Sequence, residues 1–348
     1  MDLSPGGPPA LEGWLPARVD WRARPPVVEW CRLGDRPFLE PFFEQTLGAA
    51  QERPFNRVFQ QRTSLDELAA FDPEHLGVEP TGFVLHLSRC GSTLLARMLQ
   101  AVPGCVVLSE PTPLDAVIDA RRRFPDLDEA RHVAWLRGMV GALARPRRPG
   151  PSRVFVKLDA WHVGELPRLR RAFPAVPWIF LYRDPVEVLV SHRRQRGAQM
   201  IPAAVDPGRF GLDLASAAAL DPDAYAAHVL GCLARSARDG LALGGGRLVH
   251  YGELPEAAWG PIAAHFGVSW SEDERRRMAE AATRNAKRPD QPFTPDGADK
   301  QADADPALRA EAERRVGPLY RELEALRRER PAAPTTAPRK PAPSAAGG

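Results

Sequence analysis

The apolar positions of this chain fall in short runs at 83–87, 105–108, 154–158, 178–182 and 247–251. Each run ends in a polar cluster, and each is followed by a stretch with apolar residues at helical spacing. Runs of that length, rich in Val, Phe, Leu and Ile, predict fully buried strands, and the intervening period predicts the helices that cover them. The alternation predicts an α/β fold with a parallel sheet of about five strands and helices on both faces. After the first run, Leu94, Leu95, Met98 and Leu99 share one helical side. After the fourth, Asp184 suits an N-cap and Pro185 a first helical position. Upstream, helical patterns at 28–31, 38–47 and 65–70 predict a helical extension over 26–80, with Pro41 opening its second helix. Residues 1–25 predict an irregular N-terminus, 81–330 the α/β domain, and 331–348 a disordered, Pro/Ala-rich tail. The Gly/Ala/Pro-rich stretch 197–221 predicts a mobile loop.

Composition narrows the function classes. A formal net charge of +3 over 348 residues gives no reason to expect nucleic-acid binding. Arginines cluster at 121–123, 145–148, 168–171, 193–196 and 275–277, most of them as solvated helix faces. The four cysteines, Cys31, Cys90, Cys105 and Cys232, are widely spaced and suggest neither a metal site nor a disulfide framework. No signal peptide and no apolar run of membrane-spanning length is evident, so a cytoplasmic protein is expected.

The candidate chemistry sits where the apolar runs end. Ser88-Arg89-Cys90-Gly91-Ser92-Thr93 joins a strand to a helix. A helix opening there presents unpaired N–H groups and a positive dipole end, the hydroxyls of Ser92 and Thr93 add donors, and Arg89 adds charge. Gly91 allows close approach of backbone to ligand. The alternative is an ordinary capped joint. Ser109-Glu110, Lys157-Leu158-Asp159 and Arg183-Asp184 end the next three runs, and in open parallel sheets such ends converge on one crevice. The loop has no lysine before Ser92, as a triphosphate loop requires, and no metal site is expected.

Residues 89–95, read Arg-Cys-Gly-Ser-Thr-Leu-Leu, resemble the 5′-phosphosulfate loop of the P-loop-type sulfotransferases, whose pattern is Lys/Arg-Ser-Gly-Ser/Thr-Thr. Tyr182-Arg183-Asp184-Pro185, with Ser191 eight positions beyond Arg183, resembles the family's 3′-phosphate element. The resemblance covers about 81–290, departs from the pattern at Cys90, and leaves the extension outside. It implies 3′-phosphoadenylyl sulfate (PAPS) as co-substrate and metal-independent transfer of a sulfuryl group to a hydroxyl or amine. Arg89, Cys90, Gly91, Ser92, Thr93, Leu94, Arg183 and Ser191 would then bind the nucleotide, with Arg284 and Lys287 as counterparts of the family's late basic loop. Arg89 and Lys157 would stabilise the leaving group. Glu110 is the favoured general base, with Asp159, in the place of the family's His, and His162 as the others. His86 reads as a packed core residue and His192 as a helix-surface one. The acceptor would be a small molecule, glycan or lipid. The rival readings are a nucleotide phosphotransferase or kinase and a nucleotide-binding protein without catalysis.

Overall fold

The computed structural model describes residues 11–72, 78–147, 153–286 and 290–329. Strands β1 (Trp14–Asp20), β2 (Val27–Arg32) and β3 (Gln61–Ser64) form an antiparallel sheet in that order. The irregular start and the all-helical extension are therefore corrected: a small sheet stands there, with helices Phe43–Gln51 and Pro54–Val58 between β2 and β3. Val28, Trp30 and Cys31 fit either period, and what makes the segment a strand is pairing with β1 before it and with β3, more than thirty positions on, after it. Pro16 is tolerated because β1 is an edge strand with a register shift at that point. Glu29 ties the three strands together, accepting from Arg18 at 2.7 Å and from Arg62 at 2.8 Å.

The predicted parallel sheet is present. Strands β4 (Gly82–His86), β5 (Cys105–Ser109), β6 (Arg153–Lys157), β7 (Trp178–Tyr182) and β8 (Gly246–His250) run parallel in the order β5-β6-β4-β7-β8, flanked by helices. Every residue of β4 and β7 is buried, as strands covered on both faces must be. The chain leaves β4 toward β5 and β6 on one side, then crosses to β7 and β8 on the other. The carboxyl ends of the central strands consequently open onto one crevice.

Residues 197–221 are not an open loop. Helical turns span Ala198–Met200 and Pro207–Phe210, and a short helix spans Leu214–Ala219. Asp206 and Asp213 cap the last two, and Gln199, Met200, Phe210 and Ala217 are buried. The expectations for 1–10 and 331–348 lie outside the described residues. Among the described residues, no helix is long and apolar enough to cross a membrane.

Candidate active site

The turn after β4 is built from left-handed residues, with φ of 72° at Ser88, 49° at Arg89 and 90° at Gly91. Backbone of this kind turns successive N–H groups to one side and forms an anion cradle. Ser88 N donates to His86 Nδ1 at 3.1 Å, and Gln199 Nε2 donates to Ser88 Oγ at 2.8 Å, fixing the start of the turn. Gly91 then caps helix Ser92–Gln100. A Cβ at Gly91 would sit 2.6 Å from Tyr251 Cδ2, so both φ and contact demand glycine. Cys90 is buried, with Sγ 3.0 Å from the Leu181 carbonyl. Burial pushes its thiol up to about 12, so the side chain packs and is no nucleophile.

Arg183 leaves the end of β7 buried and heavily engaged. Its guanidinium contacts Glu187, donates from Nη2 to Asp296 at 2.9 Å, and lies with Cζ 4.2 Å from the centre of the Tyr251 ring. Burial alone would lower its pKa, but Asp296 and Glu187 outweigh burial and raise it. Lys300 Nζ, also buried, meets the other oxygen of Asp296 at 2.8 Å. Ser191, one helix length from Arg183, accepts from Arg89 Nε at 2.8 Å.

That last bond joins the two halves of the site. One cavity of about 470 Å³ runs from the turn at Ser88–Leu94 to Arg183, past Ser191, Tyr251, Asp296 and Lys300. Its other side reaches Glu110 and Asp159. A second cavity of about 730 Å³ opens there and shares Phe42, Glu110, Asp159, Trp161 and Ala198 with the first.

The candidate bases sort by their surroundings. Glu110 has φ of 56°, and its carboxylate pairs with Lys157 Nζ and lies 3.5 Å from His86 Nε2. Burial would raise the Glu110 carboxyl, but Lys157 and His86 hold it well below the usual range. Lys157 is 1 % exposed, 5.4 Å from the centre of the Phe42 ring, and meets the cavity through Glu110 rather than by lining it. Burial raises the Asp159 carboxyl to about 7, with Glu110 and Asp115 adding to the effect and His162 opposing it. Among the described residues no cation forms an ion pair with Asp159.

Three expectations are corrected. His162 is buried, bonded through Nε2 to Asp115 at 2.8 Å, and lines neither cavity. Arg284 is exposed and bridges to Pro292, so its neighbours Asn285 and Ala286 face the cavity in its place. His192 is fully buried and accepts from Gly197 N at 3.2 Å, where a surface position was expected. Lys287 lies outside the described residues. Lining residues that the sequence pattern did not mark include Phe42, Trp161, Tyr251, Asp296 and Lys300.

A family model described as Sulfotransferase family matches residues 80–228. Over that span the chain is similar to the sulfotransferase family, a class of group-transferring enzymes. No curated protein matches the chain. Similar solved structures include a sulfotransferase domain from the curacin biosynthetic pathway, 18% identical over 70% of this chain and 98% of that one, at a TM-score of 0.44. Others are a sulfotransferase from Alicyclobacillus acidocaldarius, 18% identical over 72% and 96%, TM-score 0.39, and a mouse sulfotransferase complexed with PAP. The mouse protein is 11% identical over 77% of this chain and 97% of that one, at a TM-score of 0.38.

Proposed function

We propose that the protein moves the sulfuryl group of PAPS to a hydroxyl or amine of an acceptor bound in the second cavity. The observation that carries this reading is the continuity of the first cavity, closed by the Arg89–Ser191 bond between the two motifs. Its volume suits one nucleotide. Cationic and N–H groups stand at both ends, the cradle at 88–93 for a 5′-phosphosulfate and Arg183, Ser191 and Lys300 for a 3′-phosphate.

The acceptor oxygen or nitrogen attacks sulfur in line and forms the new bond to it. The bond from sulfur to the bridging oxygen breaks, its electron pair stays on that oxygen, and adenosine 3′,5′-bisphosphate (PAP) leaves. The cradle amides and Arg89 stabilise the growing charge. Lys157 already neutralises Glu110, and a short shift toward the leaving oxygen would free that carboxylate as the charge moves. Glu110 then takes the acceptor proton. A second reading makes Asp159 the base, because it stands at the same junction, has no ion-pair partner among the described residues, and titrates at about 7.

Calorimetry tests the donor assignment. PAP should bind at least about tenfold more tightly than adenosine 5′-phosphate or ATP with Mg²⁺, the extra affinity coming from charge-assisted bonds to the 3′-phosphate. Preference for ATP with Mg²⁺ would turn the reading toward a phosphotransferase. Binding of PAP with no PAP release from PAPS in the presence of any acceptor would turn it toward a binding protein.

A further inference from the structure

His86, the last residue of β4, is a buried titratable group that the transfer steps leave without a part. It borders the first cavity beside Glu110 and is 5 % exposed. Its two ring nitrogens meet neighbours of opposite character. Ser88 N donates to Nδ1 at 3.1 Å. A ring nitrogen that accepts from a backbone N–H carries a lone pair, so the neutral ring holds its proton on Nε2. Burial lowers the pKa of the ring, Glu110 opposes burial without reversing it, and Lys157 lowers the pKa further, so the ring is neutral at pH 7.

Nε2 is shut off from the cavity space and makes no hydrogen bond. Glu110 Oε1 stands 3.5 Å from it, at the outer edge of bonding range. A buried donor left in this state costs free energy, and a closing of about half an ångström toward Oε1 would satisfy it. Lys157 Nζ is bonded to that same oxygen. Glu110 Oε2 makes no hydrogen bond among the described residues, and Glu110 lines both cavities. One oxygen of the carboxylate is thus gripped from behind, and the other is left for the proton.

The consequence rests on the sulfuryl-transfer reading. There Lys157 shifts toward the leaving oxygen, and Glu110 loses the cation on Oε1 at the moment when it must take a proton. A carboxylate released without another tether would be free to swing out of line, and misplacement is costly in proton transfer. A second cation on Oε1 would hold it but suppress its basicity, whereas a neutral donor holds it at a smaller cost in basicity. We propose that His86 is a positioning residue for Glu110: as Lys157 departs, Nε2–H closes on Oε1 and keeps Oε2 available to the acceptor. Through Nδ1 the same ring holds the Ser88 amide, so it ties the base to the first residue of the anion cradle.

PAP carries on its 5′-phosphate the charge that the leaving oxygen gains, so the PAP complex is the state to set against the free protein. The test is NMR on the full chain, isotope-labelled in histidine and glutamate side chains, with and without saturating PAP. In the free protein His86 should show a bare Nδ1 and a protonated Nε2, and PAP should move the Nε2–H proton downfield as the bond to Glu110 forms. His86→Asn keeps an acceptor for Ser88 N and removes the donor, while His86→Gln keeps a donor near the place of Nε2. In the PAP-loaded protein His86→Asn should raise the proton affinity of the Glu110 carboxyl about tenfold and His86→Gln should bring it back toward the wild-type value. In the free protein, where Lys157 dominates, the same variants should change it less than about twofold. A merely structural histidine would alter both states alike. An Nδ1–H tautomer, a charged ring at pH 7, an Nε2–H proton unmoved by PAP, or a Glu110 carboxyl that His86→Asn leaves unchanged or changes equally in both states overturns the proposal. Where a variant fails to fold, the wild-type signals decide. Failure of PAP itself to bind overturns the donor reading instead, and the role of His86 falls with it.

Discussion

Arg183→Lys is the most informative single change, because it keeps the charge and removes the planar fork. In the free protein the guanidinium is shared between Glu187 and Asp296, and Tyr251 stacks beneath it. A 3′-phosphate arriving there would displace Asp296, the more exposed of the two carboxylates, and leave Glu187 in place. The gain is therefore an exchange of one anion for another with more oxygens. A charge-assisted bond of this kind contributes about 1.5–3 kcal/mol, and the exchange puts the expected loss near the lower end. Arg183→Lys should weaken PAP about tenfold and Arg183→Ala about a hundredfold. Adenosine 5′-phosphate, lacking the 3′ group, should lose less than about threefold in either variant. The assay is calorimetry with both nucleotides, with a thermal melt to show that the variants fold, since Arg183→Ala leaves the half-buried Glu187 without its cation. Equal losses for the two ligands, with intact folding, would refute the assignment of Arg183 to the 3′-phosphate.

Asp296→Asn removes the carboxylate that competes for both Arg183 and Lys300, so PAP should bind severalfold more tightly; weaker binding would show that Asp296 holds the cations in place rather than occupying them. Gly91→Ala should abolish measurable PAP binding, because φ of 90° and the 2.6 Å approach to Tyr251 both oppose a Cβ; retained affinity would put the cradle elsewhere. Glu110→Gln should lower PAP release from PAPS with an acceptor present by about 10²–10⁴-fold while sparing PAP affinity. The pH profile separates the two bases: with Glu110, whose carboxyl is held low, the rate stays flat between about pH 5 and 8, whereas with Asp159 it falls about tenfold per unit below about 7. Asp159→Asn should raise the melting temperature more at pH 8.5 than at pH 5.5, about the two sides of that titration, because a carboxyl raised by burial stabilises the fold when protonated and loses that contribution as pH rises through its folded value.

The parallel sheet was legible because its strands are buried on both faces and so appear as unbroken apolar runs. Their polar ends marked the crevice for the same reason, since each run stops where the chain meets water or ligand. The N-terminal sheet was not legible. Val27–Arg32 mixes Val, Glu, Trp and Cys over six residues, and its strand character comes from partners on either side of two helices. His162 looked like a base by its place in the chain, but the short helical turn Ala160–Glu165 buries it against Asp115, outside both cavity linings. Lys300 has a signal in the composition of the chain. The chain has four lysines among 47 basic residues, so selection of the smaller cation at 157 and 300 marks places where a compact, buried point charge is needed.

The two buried lysines also explain how the site can hold so much opposing charge before any ligand arrives. Lys157 is matched by Glu110 at one end, and Lys300 with Arg183 by Asp296 and Glu187 at the other. Leaving any of these cations alone in a buried place would cost several kcal/mol, on the order of the whole stability margin of a domain. Carboxylates are therefore required in the free protein, and each is also a group that bound substrates must displace or use. On the proposed function, Asp296 would give way to a 3′-phosphate at the Arg183 end, and at the Lys157 end the carboxylate released as the leaving oxygen gathers charge would itself be the proton acceptor. One arrangement would then keep the empty site stable and couple departure of the leaving group to deprotonation of the acceptor, and on that reading Lys157→Ala should cost PAP release at least as much as Glu110→Gln while lowering the thermal stability more.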